Sequence, residues 1–246
     1  MVEKGTSNEP KNPKRSGPAK GSLESAAHHT GGGAETSPDH DSTLASRRER
    51  VARERRALRE WAGENGRLKE KLPKEHARGG EHIVQLDPER ERVLKATRPE
   101  ADFGFGIAYG SQTPGATPSE YLDRLVIHNR IFSDRIKLEG VVPTGPGMLS
   151  IVTSQPFIRG RDAEQGEIDA MMHGKGFERI GEGMYYHSAE GLLVHDLLPK
   201  NAKIDPHGYL QTIDPVIQRV TPGFADYFRR NPVSGKSKPC PNPGSA

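Results

Sequence analysis

Larger apolar side chains are unevenly spread along this chain. Residues 1–45 hold only Met1, Val2, Leu23 and Leu44, against 6 Gly, 4 Pro and 10 Ser/Thr. Such a stretch cannot offset its ordering entropy, so a disordered tail is expected over 1–42. From residue 43 the pattern becomes helical. Val51, Leu58, Trp61 and Ala62 recur at helix spacing, with Arg and Glu on the other face, which predicts a basic amphipathic helical segment over 43–76. Ser42 or Thr43 would cap it, Gly63 and Gly66 would end its first helix, and GRLKEKL would continue as a short second one. HIVQL and RVLKAT, joined by the turn DPERE, predict a β-hairpin. TPSEYLDRLVIHNRIF predicts a helix with Thr117 as N-cap, Pro118 at the first position and Glu120 closing a capping box. Strands are expected at IKLEGVV and MLSIVTSQPFI, a helix at AEQGEIDAMMHGK, and short strands at GMYYHS, GLLVHD and YLQTID. The residues from 231 onward, with four prolines and Cys240, read as a second disordered tail.

Composition narrows the class. The chain has 246 residues, 32% of them hydrophobic and 28% charged, with all 7 Phe and all 6 Tyr between Phe103 and Phe228. That distribution locates the folded part, because large aromatics dominate burial. One Cys excludes a disulfide framework within the chain and a Cys-rich zinc module. No apolar run approaches the length of a membrane span, and the N-terminus lacks the apolar stretch of a secretory signal, so a cytoplasmic protein without membrane contact is expected. The net charge of +3 is too small to imply nucleic acid. Between Arg47 and Lys71 there are 10 Lys/Arg and 5 Asp/Glu. Nucleic acid is thus a weakly supported partner, and a solvated face on a docked helix is the favoured reading. The histidines show no zinc spacing, and no nucleophile elbow is present.

The stretch from Gly191 to Pro215, GLLVHDLLPKNAKIDPHGYLQTIDP, carries the chemistry. Asp196 follows an apolar strand, Asn201 comes five residues later, and Asp214 closes a hairpin pattern. Strand ends can aim polar groups into a cleft, and Asp with Asn is a hard oxygen set suited to Mg²⁺. Lys95, inside the strand pattern RVLKAT, could turn a positive charge toward phosphates or be an ordinary strand residue.

Together these residues resemble a protein kinase, which pairs a strand lysine with a helix glutamate and follows them with an Asp–Asn catalytic loop and a metal-binding Asp. More narrowly, EHIV, VLKAT, TPSEYLDRL with HNRIF, TSQPFI and HDLLPKN are similar to the serine/threonine/tyrosine kinase-like domain found in polyvalent proteins of phages and conjugative elements. The resemblance implies an α+β, reduced two-lobed kinase-like domain: an N-lobe and hinge over 77–158, a reduced C-lobe over 159–230, and a disordered tail over 231–246. It implies ATP and Mg²⁺ as cofactors and a hydroxyl-bearing acceptor, protein or small molecule. Lys95 would contact phosphates, Glu120 would hold Lys95, and Gln155 and Phe157 in the hinge would lie near the base. Asn201 and Asp214 would hold the metal, and Asp196 would act as the catalytic base. A catalytically inactive, nucleotide-binding or protein-interaction module is the alternative. The departures are concrete: no G-x-G-x-x-G precedes Lys95, where only Gly79–Gly80 stands, and FGFGIAYG comes after Lys95. His195 stands where the family has Arg, Pro215 follows Asp214, and 32 residues follow Asp214.

Overall fold

The computed structural model describes residues 21–31, 44–98, 104–106 and 115–230. The expected caps Ser42 and Thr43, most of the FGFGIAYG segment, the tail from 231 and Cys240 lie outside the described residues.

The first half builds a helix-backed antiparallel sheet. Strands β1 (Ala77–Arg78), β2 (His82–Asp87), β3 (Arg92–Thr97), β4 (Lys137–Gly145) and β5 (Met148–Pro156) form it in the order β1-β2-β3-β5-β4. The predicted β2–β3 hairpin is present, with Val84 opposite Lys95. On its other side β3 pairs with β5, which sets Lys95 opposite Thr153. Between β3 and β4 runs α3 (Pro118–Phe132), and its N-terminus is built as the sequence requires. Thr117 Oγ1 accepts from the Glu120 N–H, and the Glu120 carboxylate accepts from the Thr117 N–H.

Two further helices cover α3. Helix α2 (Leu44–Glu64) buries Leu58, Trp61 and Ala62 on its expected face. Helix α1 (Ser22–Gly31) corrects the expectation of disorder across 1–42 for these ten residues. Leu23, Ala26 and Ala27 are buried in the same core as Trp61, Leu122 and Ile151, and Trp61 Nε1 donates to Ser25 Oγ at 3.1 Å. Two alanines and one leucine make too weak a periodic signal to read alone, yet small side chains let the helix approach closely. The expected second helix at GRLKEKL is also corrected. Gly66 takes a left-handed φ of 63°, and Leu68 then bridges to Val141 in parallel, with Lys69 N–H donating to Val141 O at 2.8 Å. The backbone there satisfies itself on the β4 edge rather than in a helical turn.

The second half is made of short elements. Strands β7 (Glu178–Gly181), β8 (Met184–His187), β9 (Leu192–His195) and β12 (Val216–Arg219) form a sheet in the order β12-β9-β8-β7. Strands β6 (Arg161–Asp162), β10 (Ala202–Ile204) and β11 (Leu210–Thr212) form a smaller one in the order β11-β10-β6. Helices α4 (Gln165–Gly174) and α5 (Pro222–Arg230) pack beside β7. A core of Ile168, Met172, Tyr185, Leu192, Val194 and Ile217 fills this half, and Ile127 of α3 belongs to it, while Leu122 and Leu125 of the same helix belong to the first core. The fold is therefore mixed α and β with antiparallel sheets, and α3 is the element common to both cores. No described helix is long and apolar enough to cross a membrane.

Candidate functional site

Three strand ends and one helix face converge on Lys95. It lies mid-strand on β3, and its side chain is 10% exposed. Its Nζ makes an ion pair with Asp214 Oδ1 at 3.1 Å and donates to the Ile213 carbonyl at 3.0 Å. Gln155, near the end of β5, donates Nε2 to that same carbonyl at 3.1 Å. Asp214 sits in the short link between β11 and β12 and remains half-exposed. Because β12 pairs with β9 with Val216 opposite His195, the residues just before β12 and just after β9 are neighbours. This register brings Asp214 and Asp196 together from positions 18 apart in sequence.

The loop after β9 is tightly tied. Asp196 takes a left-handed φ of 56°, uncommon for a residue with a side chain. Asn201 Nδ2 holds it by donating to the Asp196 carbonyl at 2.7 Å and to its Oδ2 at 3.0 Å. The Asn201 carbonyl accepts from Ile213 N–H at 2.9 Å, which fixes this loop beside the Asp214 link. Lys200 Nζ stands 4.0 Å from Asp196 Oδ1. Of the predicted residues, the structure thus gathers Lys95, Gln155, Asp196, Asn201 and Asp214.

Glu120 is not among them, and the expectation that it holds Lys95 is corrected. Its carboxylate caps its own helix and pairs with Arg47 of α2 at 2.8 Å, with Arg50 at 3.7 Å. A glutamate three residues after the N-cap points back to the cap, away from the middle of the helix. That middle turn presents Tyr121, Arg124 and His128, all buried. Arg124 Nη2 pairs with Glu81 at 3.0 Å, just ahead of β2, and its guanidinium lies over the Tyr121 ring. His82 makes a 3.1 Å hydrogen bond with Tyr121 Oη, and its Nδ1 is 3.9 Å from Asp214 Oδ2. Sequence reading missed Glu81, His82 and Arg124. The one available signal was that Arg124 and His128 interrupt the apolar face of α3.

Phe157 is about half exposed, and its N–H donates to the Glu91 carbonyl at 2.8 Å. Pro156 has no N–H, so neither backbone position is open as a donor to a ligand. A cavity of about 230 Å³ adjoins this segment, lined by Gln155 and Phe157 with Asp134, Arg135, Asp205 and Thr212. Lys95, Asp196, Asn201 and Asp214 are not in its lining.

The electrostatics divide the two aspartates. Desolvation opposes charge on Asp214, but Lys95, His82 and Arg124 outweigh it and hold its carboxyl well below the usual carboxylate range. For Asp196 burial dominates and raises the carboxyl, against Lys200 and the Asn201 amide, with Asp214 adding to the rise. One carboxylate is thus fixed as an anion, and its neighbour is made more basic, the separation expected of a ligand and a proton acceptor. His195 is no cation: burial lowers its imidazole to about 3, so it cannot replace an arginine clamp. Burial likewise lowers His82 to about 4.

The donor chemistry fits a hard divalent cation. Asp214 is ionised and half-exposed, and Asn201, tied by Nδ2, has Oδ1 as the amide atom able to ligate. No group of three or more His, Cys, Asp or Glu side chains stands ready for a metal among the described residues, so these two would need phosphate and water to complete a shell.

A family model described as serine/threonine/tyrosine kinase found in polyvalent proteins matches residues 51–221. That span starts within α2 and ends just ahead of α5. No curated protein and no solved structure matches the chain.

Proposed function

The chain belongs to the family of serine/threonine/tyrosine kinases found in polyvalent proteins, and we propose that it transfers the γ-phosphoryl group of ATP to a hydroxyl acceptor with Mg²⁺. The observation that carries this reading is the juxtaposition of Lys95–Asp214 with Asp196–Asn201, four residues from three separate stretches. Phosphoryl transfer demands little covalent work from a protein, so charge and position supply most of the catalysis. In this reading the α3-backed sheet and the second-half sheets form the two lobes of a reduced kinase.

Lys95 would leave Asp214 for the α/β-phosphates, and Asp214 and Asn201 would hold the cation. Bound Mg²⁺ would neutralise the phosphate charge that develops in the transition state. Asp196 would orient the acceptor hydroxyl and accept its proton, a role its raised carboxyl suits. Gln155 and Phe157 would lie on the base side. The ionised Asp214 beside the Lys95 ammonium also supports nucleotide binding alone, which is the inactive-module alternative.

Thermal unfolding with nucleotide tests the binding half. ATP should raise the melting temperature more with Mg²⁺ than with EDTA, and Asp214→Ala should remove the metal-dependent part. Equal shifts with and without metal would overturn the metal assignment.

A further inference from the structure

Arg124 is the charged group that the expected site does not account for. It projects from the middle turn of α3, at the face where a helix carboxylate was expected, and its side chain is 7% exposed. Its positive charge helps to depress Asp214. Nη2 is bonded to Glu81, but Nη1 is buried without any hydrogen-bond partner. The space beside it is kept by Gly106, whose φ is 110° and where an added Cβ would stand 2.9 Å from Nη1 and from Glu81 Oε2. A buried charged donor left unbonded is costly, and it calls for a partner that a bound ligand can supply.

Charge counting says which ligand. Lys95 and Arg124 face Asp214 and Glu81, two cations against two anions, and the neighbouring Asp196–Lys200 pair adds one of each sign. The cluster is neutral as it stands, and a divalent cation on Asp214 would leave it with a surplus of two positive charges. A polyanion restores the balance, and Nη1, left over by the Nη2–Glu81 bond, offers a charged donor to a phosphate oxygen.

We propose that Arg124 is a phosphate-binding residue of the nucleotide site, with Nη1 reserved for an oxygen of the polyphosphate chain. The proposal rests on the nucleotide-binding reading above. It replaces the lysine–glutamate pair expected from the sequence with two cations, Lys95 from β3 and Arg124 from α3, on one polyphosphate. The Glu81 carboxylate then keeps the guanidinium plane oriented rather than serving Lys95.

The test is the ratio of affinities for ATP and adenosine, measured by calorimetry with Mg²⁺ on the wild-type chain, Arg124→Gln and Arg124→Lys. Arg124→Gln should weaken ATP about tenfold or more and leave adenosine within about twofold, because a charge-assisted bond to phosphate is lost and nothing at the nucleoside is. Arg124→Lys keeps the charge without the guanidinium and should show a smaller, ATP-only loss. It also decides the matter if the Gln variant does not fold. Equal losses for ATP and adenosine, or none for either variant, would mean that Arg124 is structural and would overturn the proposal alone. A wild-type chain that binds neither compound would overturn the nucleotide reading and this proposal with it.

Discussion

Severing the Lys95–Asp214 ion pair should be measurable in the unliganded protein. The perturbation is a double-mutant cycle of Lys95→Met, Asp214→Asn and the combined variant. The pair is 3.1 Å long and asymmetric: the ammonium is 10% exposed and the carboxylate 48%. Fully exposed pairs are worth ~0–1 kcal/mol, and losing one partner of a buried pair costs ~3–5 kcal/mol. With one end desolvated and the other wet, the coupling should fall between, at about 1–3 kcal/mol. Asp214→Asn should be the costlier single change, since it strands a mostly buried ammonium. Adding Lys95→Met should recover part of the loss. Urea unfolding at pH 7 gives the four stabilities. The sign of the pH effect follows from the depressed Asp214 carboxyl. Its stabilisation is fully present above the unfolded value near ~4 and is lost as pH falls through the lower folded value, so the coupling should shrink only in acid. Saturating Mg²⁺–ATP should also shrink it, because the two side chains then serve different parts of the ligand. A coupling near zero at pH 7 without ligand would refute the pairing and the site built on it.

Three other perturbations have distinct outcomes. Glu120→Gln should lower stability by about 1 kcal/mol through the weakened cap and Arg47 pair, yet leave Mg²⁺–ATP affinity unchanged in calorimetry, whereas a helix glutamate serving Lys95 would weaken it. Deleting residues 1–43 removes α1 and its buried Leu23, worth ~1.5–3 kcal/mol alone, and should lower the urea midpoint, where a disordered tail would leave it unmoved. Asp134 is raised to about 7 by burial, against its bond from Thr212. Its folded form therefore prefers the proton, and the stability tied to it is lost as pH rises toward 7. Asp134→Asn should gain melting temperature relative to wild type at pH 8 compared with pH 5.

Legibility in the sequence followed the range of the interactions. The β2–β3 hairpin, the capped α3, the paired β4 and β5 and helix α4 are written in local periodicity and caps, and they are where the pattern put them. The loop after β9 was legible for a similar reason: Asp196 and Asn201 are five residues apart and bond to each other. What failed was reach. Glu120 could close its cap or serve Lys95, and only the packing of α2, which brings Arg47, decides between them. Helix α1 is stabilised by Trp61 and Leu122 from distant segments, and its own ten residues carry almost no apolar signal. The β10–β11 hairpin ahead of Asp214 is where its pattern put it, whereas strands β6, β7 and β12 went unread. Arg124 stood inside an amphipathic helix as an ordinary polar residue, and its meaning comes from Glu81 and Asp214 across the fold.

The central claim is phosphoryl transfer by this cluster, and the most direct measurement is incubation with [γ-³²P]ATP and Mg²⁺. Wild-type protein, Asp196→Asn and Asp214→Ala should be compared, with autophosphorylation and a broad panel of hydroxyl acceptors as readouts. The account predicts transfer by wild type, loss of both transfer and Mg²⁺–ATP binding in Asp214→Ala, and near-normal binding in Asp196→Asn with transfer reduced roughly 10²–10⁴-fold. Wild-type protein that binds Mg²⁺–ATP but labels nothing, or Asp196→Asn that transfers at the wild-type rate, would contradict it.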